Sequence, residues 1–252
     1  MSTMRQTGVG PPLLLLHALG VNSGCWADVT AGLSGYTVLT IDFPGHGSAT
    51  LTDVELGVHE LAESVAAQIR NSAFDRVHVA GMSLGGLVAQ DLAAHHPDLV
   101  DHLVLIDTVA TYPEVVRQQW RDRADIARTS GMASLVAPTL DAWFTADALE
   151  AQAPAVVRVR DMITGVDPEG YARACELLER ADTRDLLRQI QAPTLVVCGR
   201  DDLPAFIAAV PMFEEQITDA LPVWIEPGRH AAVLESPEAF MRALRDFLPA
   251  GA

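Results

Sequence analysis

The segment Arg76-Val77-His78-Val79-Ala80-Gly81-Met82-Ser83-Leu84-Gly85-Gly86 joins an apolar run to a helical pattern through one serine with glycines two positions away on either side. A strand that ends at Ala80 and a helix that begins near Leu84 leave only a sharp elbow between them, with Ser83 at its apex. Such an elbow holds its serine in a strained backbone conformation, and it needs the flanking glycines because a side chain there would meet the neighbouring strand and helix. The hydroxyl then projects above the sheet beside a helix N-terminus, where negative charge is favoured. A glycine-rich turn that merely packs a helix against a strand uses the same letters. The strand before Ser83 and the helix after it favour the elbow.

Outward from this segment, short apolar runs alternate with helical patterns, as repeated βα units feeding a parallel sheet would. The strands are expected at Pro12–His17, Tyr36–Asp42, Arg76–Ala80, His102–Asp107, Thr194–Cys198 and Pro222–Glu226. They are apolar throughout rather than alternating, which suits strands covered on both faces. Helices are expected near Trp26–Leu33, Leu56–Asn71, Leu84–His95, Ala205–Ile217 and Pro237–Phe247. Between Tyr112 and Gln189 the alternation stops. That stretch reads as helices rich in Arg, Ala and Asp, interrupted at Pro138, Pro154 and Gly165–Pro168. The expected organisation is a sheet-containing core over residues 1–111 and 190–252, with a helical cap inserted over 112–189.

A serine hydroxyl is a poor nucleophile until a base takes its proton, so an elbow of this kind calls for a histidine and a carboxylate further along. His230, in Glu226-Pro227-Gly228-Arg229-His230, follows the last strand on a loop and is the expected base. His46 is its rival, but it precedes the serine; His59, His78, His95, His96 and His102 read as structural. Asp202, in Gly199-Arg200-Asp201-Asp202 after the preceding strand, is the expected acid, with Asp201 and Asp107 as alternatives. An oxyanion needs two backbone donors, one after the nucleophile and one from a loop after an early strand. Leu84 and Leu19, the latter in His17-Ala18-Leu19-Gly20, are expected to supply them.

At 252 residues the chain is long enough to bury a core without a disulfide or metal staple. Cys25, Cys175 and Cys198 lie far apart with no metal-ligand spacing, and they are read as reduced thiols. A net charge of -16 disfavours phosphate backbones and argues against a nucleic-acid partner. No uncharged run approaches the length of about 20 residues that a membrane span requires, and Met1–Pro12 lacks the apolar core of a signal peptide. A cytoplasmic enzyme without metal or cofactor is the expectation.

The motifs together resemble the α/β-hydrolase superfamily over nearly the whole chain. They are His-Ala-Leu-Gly at 17–20, Asp-x-x-Gly-His-Gly-x-Ser from Asp42, Gly-x-Ser-x-Gly-Gly from Gly81, Gly-x-x-Asp from Gly199 and Gly-x-His from Gly228. Within the superfamily the chain is most similar to the 3-oxoadipate enol-lactonase group, through Trp120-x-x-Arg123, Gly131-Met132, Trp143-Phe144-Thr145, Gly170-Tyr171-Ala172-x-x-Cys175 and Asp182-x-Arg184. The resemblance implies an α/β-hydrolase fold, here with a mainly parallel sheet of about six strands and an N-terminal hairpin that is reduced or missing. It also implies hydrolysis of a small carboxylic ester or lactone through an acyl-enzyme on Ser83. An acyltransferase, a carbon-carbon hydrolase, a cofactor-free cyclase or a ligand-binding protein could be built on the same scaffold. Trp143 and Arg123 are the expected substrate-binding residues. The basic residue that precedes Trp-Phe in enol-lactonases is here Ala142, so neutral or monoanionic substrates are expected in preference to dicarboxylates, with Arg123 or Arg160 able to stand in as the cation.

Overall fold

The computed structural model describes residues 1–51 and 56–249; positions 52–55 and 250–252 of the expected core lie outside that range. Seven strands form one sheet: β1 (Arg5–Gly8), β2 (Pro12–Leu16), β3 (Thr37–Ile41), β4 (Val77–Met82), β5 (Val100–Ile106), β6 (Thr194–Gly199) and β7 (Ala220–Ile225), in the order β1-β3-β2-β4-β5-β6-β7. All neighbouring pairs are parallel except β1 with β3. The central strands are covered on both faces, and Leu13 to Leu16 are completely buried. This accounts for their unbroken apolar composition. The strand that residue patterning does not single out is β1, which pairs antiparallel with β3 and makes seven strands where about six are expected. Its four residues, Arg-Gln-Thr-Gly, are all exposed and carry no hydrophobic signal.

Helices pack on both faces of the sheet. After a single 3-10 turn at Ser23–Trp26 come α1 (Ala27–Ala31), α2 (Val58–Arg70) and α3 (Leu84–His95), the last buried along almost its whole length. Five α-helices and a 3-10 helix at Arg184–Gln189 separate β5 from β6; the α-helices are α4 (Glu114–Ser130), α5 (Ala133–Trp143), α6 (Ala146–Glu150), α7 (Pro154–Gly165) and α8 (Pro168–Arg180). Pro154 and Pro168 open α7 and α8, where a missing N–H costs nothing, whereas α5 runs through Pro138. The chain then returns to the sheet and ends with α9 (Pro204–Gln216), α10 (Ala232–Glu235) and α11 (Pro237–Phe247).

Because β2 and β4 to β7 are mutually parallel, the loops that leave their C-terminal ends gather along one edge of the sheet. In open parallel sheets this edge is where ligands bind. Here it collects Leu19 after β2, Ser83 after β4, Asp107 after β5, Asp202 after β6 and His230 after β7.

Candidate active site

Ser83 sits at the elbow with φ 53° and ψ -110°, a region that a residue with a side chain seldom occupies and that costs about 1–3 kcal/mol. Close packing holds it there. A Cβ on Gly81 would strike the Gly85 carbonyl, and one on Gly85 would strike the Leu16 carbonyl. The Ser83 N–H donates to Ile106 O at 2.9 Å, and its own carbonyl accepts from the Thr108 hydroxyl at 2.8 Å. The loop after β5 therefore buttresses the elbow from behind.

His230 and Ser83 line one cavity of about 570 Å³. The His230 ring faces Phe206 with 4.2 Å between centroids and Trp143 with 5.6 Å. Its Nδ1 lies 3.0 Å from Asp202 Oδ2 and 3.2 Å from Oδ1, with both side chains essentially buried. The Asp202 carboxylate also accepts from the Leu203 N–H at 2.6 Å. This is the arrangement that fixes an imidazole with its Nε2 free to accept a proton. Asp201 is exposed. Asp107 is buried, and it accepts from Gly199 N–H at 2.8 Å through Oδ1.

Leu19 and Leu84 flank the serine: Leu84 is the first residue of α3, and Leu19 lines the cavity. Two buried histidines shape the loop that carries Leu19. His17 donates from Nδ1 to Ala18 O at 2.8 Å and accepts the Phe43 N–H at Nε2 at 2.9 Å. His46 donates from Nδ1 to Pro44 O at 3.0 Å and accepts the Gly20 N–H at 3.1 Å. Burial, helped by His46, pushes the His17 pKa down to about 3, and burial lowers that of His46. Both are neutral anchors. His46, the rival base, is thus committed to holding Gly20.

Trp143 and Arg123 both line the cavity. The Arg123 guanidinium donates to Tyr171 Oη at 2.6 Å and Thr139 Oγ1 at 2.6 Å, both neutral acceptors, and lies 5.9 Å from the Trp120 ring centroid. The Trp120 Nε1–H is buried with no acceptor. Arg160 instead donates to Gln152 at 2.7 Å on the exposed side of α7. Phe206, Tyr171 and Trp120 are wall residues that sequence reasoning did not place in the pocket. Trp120 and the motif around Tyr171 carry a family signal, whereas Phe206 carries none and is brought in only by the packing of α9.

Two clusters away from the cavity offer groups that could hold a metal: His59, Asp91 and His95, and His78, Asp101 and His102. In the first, both histidines place Nδ1 about 3 Å from one Asp91 oxygen, at 2.9 and 3.0 Å. In the second, Arg76 already pairs with Asp101 at 3.3 Å. Both read as hydrogen-bonded ties between neighbouring elements.

Comparison with known proteins bears directly on this geometry. Residues 11–237 match the family model described as alpha/beta hydrolase fold. The chain belongs to that family. It is 28% identical to 3-oxoadipate enol-lactonase 2 of Acinetobacter baylyi over 235 residues, 93% of this chain and 87% of that protein. It is 33% identical to a pimeloyl-[acyl-carrier protein] methyl ester esterase of Chromobacterium violaceum, covering 96% of this chain and 95% of the other. Among solved structures, the enol-lactonase from Burkholderia xenovorans superposes with a TM-score of 0.91 at 32% identity, covering 97% of this chain and 95% of that one. The α/β hydrolase is therefore an enzyme whose relatives are hydrolases. No helix of its described residues is long and apolar enough to cross a membrane.

Proposed function

We infer that this α/β hydrolase cleaves a small carboxylic ester or lactone through an acyl-enzyme on Ser83. The observation that carries the reading is the His230–Asp202 hydrogen bond at 3.0 Å, set in the same cavity as a serine held at a strained elbow. In this reading Ser83 Oγ attacks the carbonyl carbon while His230 Nε2 takes its proton. Asp202 stabilises the imidazolium that forms, and the Leu19 and Leu84 N–H groups receive the tetrahedral oxyanion. Collapse breaks the bond to the leaving oxygen, which takes the proton from His230. Water, deprotonated by His230, then attacks the acyl carbon, and collapse breaks the bond to Ser83 Oγ, which takes the proton back from His230 as the acid leaves. Residues 112–189 serve as a cap that supplies the outer wall: Trp120, Arg123, Trp143 and Tyr171 all come from this segment.

The cavity also limits the substrate. Its walls are mostly apolar, and among the described residues Arg123 is the one arginine or lysine lining it. A substrate with one carboxylate would accept from Arg123, whereas a second carboxylate would lack a partner. A charge-assisted hydrogen bond of this kind contributes about 1.5–3 kcal/mol, or roughly tenfold to a hundredfold in recognition. The test compares kcat/KM for a monocarboxylated enol-lactone and its neutral methyl ester in wild type and Arg123→Gln. Recognition by Arg123 predicts a loss of that size for the carboxylated substrate alone. An equal loss for both would mean that Arg123 only holds Tyr171 and Thr139 in place.

A further inference from the structure

Behind the His230–Asp202 pair lies a second carboxyl group that this chemistry does not use. Asp107 follows β5 with φ 43°, a left-handed conformation that a buried aspartate adopts only when its surroundings impose it. Its N–H donates to Val197 O at 2.9 Å, and its Oδ1 accepts from Gly199 N–H at 2.8 Å. The other oxygen, Oδ2, is buried with no hydrogen-bond partner. Oxygens of Asp107 and Asp202 and the Cys198 sulfur lie within 4.8 Å of one another, all three residues buried.

The groups facing this spot are few. The end of β6 contributes the Cys198 thiol, which burial and the two aspartates keep protonated. The loop after β6 brings Asp202, the loop after β7 brings His230, and the loop after β5 brings the buried Tyr112 hydroxyl, which feels the Asp202 charge. The arginine at the end of β6, Arg200, is exposed and stacks on Trp224 at 4.3 Å. No described arginine or lysine pairs with either carboxylate. Two buried carboxylates this close oppose each other's charge, and a proton on one of them relieves the repulsion. Which oxygen takes it follows from the partners. Asp202 already accepts from Leu203 N–H at 2.6 Å and faces His230 Nδ1 at 3.0 Å. Asp107 Oδ2 has nothing to accept, and a proton there turns an orphaned acceptor into a donor. Burial first, then the Asp202 charge, push the Asp107 carboxyl well above the ordinary carboxylate range, against the pull of the Gly199 N–H.

We propose that Asp107 is a positioning residue, a neutral carboxylic acid whose Oδ2–H donates to the Asp202 carboxylate, so that the acid behind His230 is a two-aspartate unit with a single negative charge. The proposal rests on Asp202 being the partner of His230. The donated hydrogen bond fixes the carboxylate plane from the side opposite the imidazole. It also draws charge away from the side of Asp202 that faces His230. The same loop supports the nucleophile, since Thr108, the next residue, bonds the Ser83 carbonyl. One turn after β5 thus orients both ends of the triad.

The decisive experiment observes the proton rather than the rate. In protein labelled with carbon-13 at the aspartate carboxyl carbons, the Asp107 and Asp202 resonances are assigned by their loss in Asp107→Asn and Asp202→Asn. Their positions are then followed from about pH 5 to pH 8, above the ordinary aspartate range. Asp107 should resonate as a carboxylic acid throughout and Asp202 as a carboxylate. An ionised Asp107 near neutral pH, or the proton found on Asp202, would overturn the proposal. The kinetic companion is Asp107→Ala, expected to lower kcat by about tenfold to a hundredfold with KM little changed, as loss of an orienting partner does. Asp107→Asn, whose amide can donate to Asp202 and accept from Gly199, should recover most of that loss and move the acid limb of the pH profile upward. A failure of the ester-hydrolase reading would leave the resonance result in force, and a failure of the resonance result would leave that reading in force.

Discussion

Asp201 and Asp202 are neighbours in sequence and opposites in environment. Asp201 faces solvent and contributes its N–H to Gly228 O at 2.8 Å, while Asp202 is sealed from water and bonded to His230. An imidazole needs a buried acceptor to fix its tautomer and stabilise its protonated form, so only one of them can serve. Asp202→Asn is expected to reduce ester turnover by about 10⁴-fold, whereas Asp201→Asn should leave it within a few-fold of wild type; steady-state kinetics with a chromogenic ester checks both. The opposite ranking would move the role to Asp201. Chain order points to Ser83, Asp202 and His230, because each follows a strand that apolar composition reveals. Asp202 is the expected acid, with Asp201 and Asp107 as alternatives, and the turn of the loop after β6 separates the two neighbours: its Asp202 N–H closes onto Gly199 O at 3.2 Å. Arg123 is the expected pocket residue and lines the cavity from α4, whereas Arg160, the stand-in cation, lies on α7 and donates to Gln152.

Among the elements, strands buried on both faces were legible and the exposed edge was not. Leu13–Leu16 and Thr194–Cys198 announce themselves by composition, but β1 pairs with β3 through backbone groups alone and leaves no pattern in its side chains. The helix expected near Trp26–Leu33 is a 3-10 turn followed by one short helix ending at Ala31, because Gly32 closes it. The turn after β3 shows how a motif becomes a scaffold. Asp42, 1% exposed, accepts from the Ser23 N–H at 2.9 Å, the Ser48 N–H at 2.9 Å and Arg5 at 2.8 Å. Burial alone would raise its pKa, but the bonds from Ser23 and Ser48 outweigh burial and hold it below the ordinary range. A carboxylate depressed in the folded state stabilises the fold above its unfolded pKa and loses that contribution as pH falls through its folded value. Asp42→Asn should therefore cost about 1–3 kcal/mol in urea unfolding at neutral pH. The gap to wild type should close as pH drops below about 4; a gap independent of pH would mean that shape rather than charge matters at this turn.

Across the whole molecule, the helical segment 112–189 and the sheet meet through contacts that leave little room for slack. Arg158 of α7 pairs with Asp28 of α1 at 2.7 Å, and the Ala231 N–H, next to His230, donates to Trp143 O at 2.9 Å. Gly45 and Gly170 approach so closely that a Cβ on either would strike the other's Cα. The cavity has Trp120, Arg123, Trp143 and Tyr171 on one side and Leu19, Ser83, Phe206 and His230 on the other, and the one guanidinium among its described lining residues lies inside a chain of net charge -16. Surface charge is screened over about 8 Å at physiological salt and says little about such an interior. For this reason the overall acidity of the sequence carries no information about the substrate. The proposed chemistry requires Ser83 to be an activated nucleophile, and intact-mass measurement after exposure to a fluorophosphonate tests it most directly. The wild-type chain should gain one phosphonyl adduct, mapped to the peptide containing Ser83, and Ser83→Ala should gain none; an unmodified wild type, or a variant labelled as fast as wild type, would contradict it.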